Sequence, residues 1–384
     1  MPPGHSQPRA LCVSDILNAL EINLGDPTEE PDRYLVVPGN SGPRWLIPAT
    51  SRASASVLSS WRPYSMTGRV KWLAIRMAAS AGILRRFPSV SSVTISRKSS
   101  LRWFERSGIA VQAGEMVILV GNPSPDRKLI VFLLDDAHRI AAVLKVGLTT
   151  SGGISVIREA DVLRKLERYC WAPDILSVHP ELGAAAQRYV HGTMPERGFR
   201  PDYMDLLCHL PQDGGSYNLT NAAAEMAIRL SPFADELHKI APDLLNRCLS
   251  CLDVDVAVPT MLVHGDFVPW NLRNTSQFGY VLVDWEWANF AGLPVHDLLH
   301  FQFSEDRLFG RKGGGYAAIR KRSICTNYLN RMDLDTELFP RFAIKYLLDH
   351  LELECKYQGA GSASYILHQM AAVVESLGRH PLMT

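Results

Sequence analysis

Residues 261–288 read MLVHGDFVPWNLRNTSQFGYVLVDWEWA, and the way this stretch turns back on itself decides the fold. The apolar run before His264 predicts a strand, so Asp266 sits at a strand end, on a loop. Five positions further on, Asn271 opens a second strand, which turns at NTSQFG and returns as YVLV to end at Asp284. A hairpin of this kind is expected to deliver Asp284 back beside Asn271. Asp266, Asn271 and Asp284 would then converge without help from distant sequence. Carboxylates and a carboxamide suit hard divalent cations, and a placed carboxylate can orient a hydroxyl and take its proton. The plainer alternative, a polar loop whose Asp and Asn only cap turns, leaves the flanking strands and the trailing apolar-then-Asp pattern without a reason.

The bulk properties exclude several classes. The chain has 384 residues, which suggests two or three domains or lobes, and 47% are hydrophobic, enough for a substantial core. Forty basic residues against 39 acidic give a net charge of +1, too balanced for a broad nucleic-acid surface. The seven cysteines are odd in number and sparse, unlike a disulfide framework. Cys248 and Cys251 form a lone CxxC in LLNRCLSCLDV with no second ligand pair at a zinc-site spacing, and are read as two small buried side chains. The opening MPPGHSQPRAL has no apolar signal core, and no run of about 18 uncharged apolar residues occurs. The expectation is a soluble, cytoplasmic protein in a reducing compartment.

Outward from the central stretch, the chain changes character twice. Residues 1–104 read as an extension of their own. A short helix, DILNALEINL, is capped by Ser14 and stopped at Gly25, and Tyr34–Pro38 and Arg44–Pro48 flank the hairpin signal GNSG. A basic helix is predicted over Gly68–Arg86, then a loop or irregular strand in SVSSVTISRKSS. That helix either lies on an anionic membrane surface or covers a sheet with its apolar side, and packing is the preferred reading. Residues 105–191 read as a first lobe: strands EMVILVG, RKLIVFLLD and IAAVLKVG with turns between them, the helix ISVIREADVLRKLERY, and a short strand in AAAQRYVHG. Residues 192–384 read as helical, over Asn218–Leu230, Phe233–Cys251, Tyr316–Leu329, Pro340–Tyr357 and Ser362–Leu377, interrupted by a strand-rich insert at Thr260–Val283. A sheet-rich lobe followed by a helical one is an α+β plan.

The spacing Asp266-x4-Asn271 is that of a kinase catalytic loop. His264-Gly265-Asp266 with Asn271, followed by Asp284-Trp285-Glu286, resembles the aminoglycoside phosphotransferase and choline kinase superfamily, which has the two-lobed protein-kinase-like fold. The likeness spans about residues 105–375 in order and type of elements, with its sharp motifs in 264–297. The resemblance implies an ATP-dependent phosphotransferase acting on a small-molecule hydroxyl, with GTP as the other nucleotide to consider. It makes Asp266 the catalytic base, Asn271 and Asp284 the Mg²⁺ ligands, and His264 a support of the loop; no partner histidine is spaced to make His264 a metal ligand.

AAVLKV has the form of the kinase VAIK strand, so Lys145 is the candidate for the phosphates and Glu159, on the next helix, its partner. Glu167 lies two turns further on. The nucleotide base is expected at the strand linking the lobes, Gln187–Val190, with Gln187 and Tyr189 as contacts. The first turn, VGNPSPDRK, holds only Gly121 and departs from a glycine-rich phosphate loop. Pro294 and Asp297 in GLPVHDLLHF match the family's P-x-x-D-L pattern, Asp297 bracing the catalytic loop or else touching substrate.

The acceptor stays open. Glu286, Asp306 and the helices from Tyr316 onward are candidates to line its site. Trp270, Trp285 and Trp287 either offer faces to a quaternary ammonium, as in choline, or pack the hairpin. Sugars and aminoglycosides fit a carboxylate-lined cleft equally. The rival from another class is a catalytically silent kinase-like binding module.

Overall fold

The computed structural model describes residues 11–22, 31–49, 53–60, 63, 66–112, 114–309 and 315–378. The chain divides into two compact units, Met1–Met194 with Arg273–Glu286, and Pro195–Leu272 with Trp287–Thr384. The fold is α+β: one unit is built on a large antiparallel sheet, the other mainly on helices.

The sheet of the first unit has eight strands: β1 (Pro31–Gly39), β2 (Gly42–Pro48), β3 (Ser91–Ser96), β4 (Glu115–Val120), β5 (Lys128–Leu134), β6 (Ile140–Gly147), β7 (Ile175–His179) and β8 (Ala184–Arg188). Their order is β3-β1-β2-β4-β5-β6-β8-β7. The runs EMVILV and KLIVFLL are apolar throughout because the sheet is covered on both faces. Ile118, Val131, Leu144 and Ala186 pack on one side with Trp103, Phe104 and Leu17. Leu119, Phe132 and Val143 pack on the other with Val57, Leu58 and Ala78. The sheet therefore runs through residue 104, which the sequence marked as a boundary: Trp45 of β2 pairs with Leu119 of β4.

Several local readings change here. The serine-rich SVSSVTISRKSS is a regular strand, β3, followed by the helix Arg97–Arg106. The first helix is Val13–Ala19 and starts from Cys12 rather than Ser14, with the Asp15 carboxylate accepting from the Cys12 N–H at 2.8 Å; Gly25 lies outside the described residues. The basic helix is shorter than the 68–86 reading, Met66–Ser80. Ala78 is buried against the sheet with Ile75 and Ala79, while Val70, Leu73 and Met77 are exposed.

In the second unit Ala257–Val263 forms β10, paired on one side with β9 (Gln212–Asn218) and on the other with β13 (Asn289–Gly292). The insert is thus wider than Thr260–Val283. The helix read over Phe233–Cys251 is two, Ala234–Ile240 and Leu244–Leu252, because Pro242 cannot continue the first and Asp243 turns at φ +60°. The helix read over Tyr316–Leu329 is likewise two, Tyr316–Arg320 and Ser323–Arg331. The long helix Phe339–Gln358 is the buried axis of this unit, and Cys248 packs in its core while Cys251 is half-buried. The hairpin of the central stretch is present as β11 (Leu272–Thr275) and β12 (Gly279–Leu282), its turn held by Thr275, whose Oγ accepts from the Phe278 N–H.

Candidate active site

The residues singled out from the sequence fall into two groups, one in each unit. In the first unit, Leu144 and Val146 of β6 point into one core layer, so Lys145 must point to the opposite face. There it lies opposite Ala185 of β8, under the helix Thr150–Lys165. Val156 and Ala160 of that helix pack on Ala185. The i, i+3, i+4 spacing from Val156 carries Glu159 onto the same inner stripe, and it is 2% exposed. The helix approaches the sheet closely enough that a side chain at Gly147 would meet the Gly153 backbone at 2.1 Å.

The result is a compact charge cluster. Lys145 Nζ donates to Glu159 Oε1 and Oε2 at 2.7 and 2.6 Å and to Asp284 Oδ1 at 2.6 Å. Burial alone would lower the Lys145 pKa, but Asp284, Glu159 and Glu286 together raise it above the ordinary lysine value, so the amine is a fixed cation. Lys128 joins the cluster: it donates to Glu286, which also accepts from Ser155 Oγ, and its amine lies 3.9 Å from Asp284. Asp284 has φ +72°, a left-handed conformation that a non-glycine residue adopts only where its surroundings hold it. Trp285 supplies that hold. Its backbone N–H donates to Glu159 Oε1 and its indole to the Leu282 carbonyl, and its ring is buried 5.4 Å from that of Trp171. Trp285 is therefore a packing residue and offers no free face to a cation.

In the second unit the loop after β10 is organised by Asp297, at the start of the helix His296–Phe309. Its carboxylate accepts from the His264 and Gly265 N–H groups at 2.6 and 2.9 Å. Gly265 has φ +82°, and a Cβ there would lie 2.3 Å from the Trp287 carbonyl, so only glycine fits. His264 is fully buried and its Nδ1 accepts from the Asp266 N–H at 3.3 Å, which makes it a brace of the loop. The Asp266 carboxylate is gripped from both sides. Asn271 Nδ2 donates to its Oδ2, and also to its main-chain carbonyl, both at 2.9 Å, and His300 Nε2 lies 2.9 Å from its Oδ1. The amide orientation leaves the Asn271 oxygen pointing away from these bonds.

Gln187 and Tyr189 lie in the first unit. Gln187 is buried in β8, paired with Val143 and Ile175. The Tyr189 N–H donates to the Ala141 carbonyl at 3.2 Å, and the Arg188 N–H to that of Asp174 at 2.8 Å. These two N–H groups are spent inside the protein. The sequence reading holds Arg127 or Lys128, in the turn before the lysine strand, only as replacement phosphate clamps should Lys145 fail, and it misses His300 altogether. The spacing HDLLH, which puts His296 and His300 on one helix face, was the available signal.

The antiparallel sheet bearing Lys145, the helix bearing Glu159 and the helical unit interrupted by the Asp266–Asn271 loop follow the order of a protein-kinase-like fold. A scan against protein-family models gives no match, and a search of curated proteins gives none. Among solved structures the chain is similar to a protein of Ralstonia eutropha put forward as an aminoglycoside phosphotransferase, at 14% identity over 73% of this chain and 98% of that one, TM-score 0.47. It is also similar to a choline kinase from Streptococcus pneumoniae, at 14% identity over 72% and 98% of the two chains, TM-score 0.44. A macrolide 2'-phosphotransferase from Brachybacterium faecium matches at 17% identity over 71% and 97%, TM-score 0.44.

Proposed function

We propose that this chain is a small-molecule kinase that transfers the terminal phosphoryl group of ATP to a hydroxyl. The observation that carries the reading is the buried Lys145 amine, held by Glu159 and Asp284 within 2.7 Å. A lysine fixed in this way meets phosphate oxygens already ordered, at no fresh entropic cost. Lys128, tied to Glu286, adds a second cation beside it. Asp266 is the base: Asn271 and His300 fix its carboxylate, so that it can orient the acceptor hydroxyl and take its proton late in transfer. Asp284 and Asn271 are the residues that would hold Mg²⁺, a hard cation that prefers oxygen ligands. Bound there, Mg²⁺ would neutralise charge on the transferring phosphate. The strand segment Gln187–Val190 would hold the base through its carbonyls. The division of the chain into an extension (1–104), a nucleotide lobe (105–191) and a helical acceptor lobe (192–384) is kept in this reading as one of roles only, since the strands of the extension complete the sheet of the nucleotide lobe and Arg273–Glu286 belongs to the first compact unit. A cytoplasmic setting belongs to the same reading. Among the described residues no helix is long and apolar enough to cross a membrane.

The test is ADP release, in Mg²⁺, over a panel of sugars, aminoglycosides and amino alcohols. The expected outcome is acceptor-dependent ADP from the wild-type chain and loss of Mg²⁺-dependent nucleotide binding in Asp284→Ala by calorimetry. ATP binding without ADP from any acceptor would support the silent binding module instead. Equal affinities of wild type and Asp284→Ala would remove Asp284 from the metal role.

A further inference from the structure

The second unit holds a cluster of side chains that phosphoryl transfer leaves mostly unused. His296 and His300, one helical turn apart, share a face of the helix His296–Phe309. The helix Phe339–Gln358 packs against it and contributes His350. One ring nitrogen from each of the three histidines lies within 4.8 Å of the other two. The rings are close to parallel, His300 and His350 at 5.1 Å between centroids and His296 and His350 at 6.2 Å.

The separations fit a metal. Zinc binds imidazole nitrogen at about 2.0–2.1 Å in a tetrahedron, which puts neighbouring ligand atoms about 3.3 Å apart. His300 Nδ1 and His350 Nε2 are 3.3 Å apart, and no remaining pair needs to close from further than 4.8 Å. The outer contacts fit as well, because a metal-binding histidine typically places its other ring nitrogen on a carboxylate or a carbonyl. His300 Nε2 lies on Asp266 Oδ1 at 2.9 Å, which leaves Nδ1 as the inward nitrogen. His296 is bonded to the backbone of Gly265. The Tyr346 hydroxyl, 3.3 Å from His300 Nδ1, stands where a fourth oxygen ligand or a bound water would be oriented.

We propose that His296, His300 and His350 form a binding site for a zinc-like divalent transition metal ion, distinct from the Mg²⁺ ligands and joined to the catalytic loop through the His300–Asp266 contact. Metal binding itself is independent of the kinase reading. Its consequence rests on that reading: an occupied site fixes His300 and through it the Asp266 carboxylate, so the ion would tune transfer, with His300 as a positioning residue.

The test uses the full chain stripped with chelator and titrated with Co²⁺ in excess Mg²⁺. The expected result is a single site with the visible d–d absorption of four-coordinate Co²⁺, bleached by Zn²⁺ and untouched by Mg²⁺. His296→Asn and His350→Asn each abolish the band, and Asp266→Asn, which keeps a hydrogen-bonding partner for His300 but removes its charge, weakens binding by about 10-fold. In the wild-type chain bound Co²⁺ also shifts the ring-proton resonances of three histidines by NMR, a measurement that requires no variant to fold. Absence of the band, a band that persists in both asparagine variants, or paramagnetic shifts at other histidines overturns the site. These readouts involve no nucleotide, so their failure is separable from failure of the kinase assignment.

Discussion

The two clusters hold their carboxylates by different means. Around Lys145, two lysines and three carboxylates lie in mutual contact, and Glu159 and Lys145 are almost wholly buried. Around Asp266, an amide and an imidazole grip a partly exposed carboxylate, and the loop is braced through backbone N–H groups. The first arrangement couples charge to folding, because removing one member of a buried ion pair leaves the other uncompensated. The second couples charge to chemistry: an amide in place of Asp266 still fills the space and still hydrogen-bonds. Residues of the first cluster should therefore be hard to replace without loss of stability, and Asp266, the base of the proposed reaction, easy to silence in a folded protein.

The largest structural effect should come from breaking the first cluster. Glu159→Ala is expected to cost about 3 kcal/mol in urea unfolding, since Lys145 keeps only Asp284 as a close partner. Replacing both members, Lys145→Met with Glu159→Leu, should recover most of that loss while nucleotide binding stays absent. A cost for Glu159→Ala below about 1 kcal/mol, the level of an exposed pair, would erase the distinction between the clusters. Next, Gly265→Ala in the second cluster should cost about 2 kcal/mol by the same measurement, from φ +82° and the approach to the Trp287 carbonyl. A neutral outcome there would show that the loop can rearrange. The smallest effect of a charge removed from the first cluster belongs to Lys128→Ala, about 1–2 kcal/mol in stability, because Glu286 keeps Ser155 as a partner. Because Lys128 stands beside Asp284, it should weaken nucleotide affinity more than it weakens the fold; the reverse order in calorimetry and melting would move Lys128 out of the phosphate role.

Much of this was readable from the residues because the decisive groups are local or follow simple periods. The pairing of Lys145 with Glu159 follows from a strand that alternates faces and a helix that repeats every three to four residues. The strands EMVILV, KLIVFLL and IAAVLKVG were legible from apolar continuity. Beyond local pattern the reading failed. SSVTIS is polar enough to pass for a loop, and becomes a strand only because β1 offers it an edge. Pro242–Asp243 breaks the helix read over Phe233–Cys251, although the helical period continues on both sides of it. Lys128 reads as an ordinary strand-end lysine until Glu286, far along the chain, is placed against it. His350 cannot be tied to His296 and His300 from sequence, since the packing of two helices brings them together.

The most direct test of the account is a comparison of wild type with Asp266→Asn at saturating Mg²⁺–ATP and an accepted hydroxyl substrate, measuring kcat for ADP formation alongside nucleotide affinity and melting temperature. The account predicts a fall in kcat of about 100-fold or more, the typical contribution of a general base, with affinity and melting temperature close to wild type. A variant that keeps more than about a tenth of the wild-type kcat, or that loses activity only because it unfolds, would contradict the assignment of Asp266 as the base.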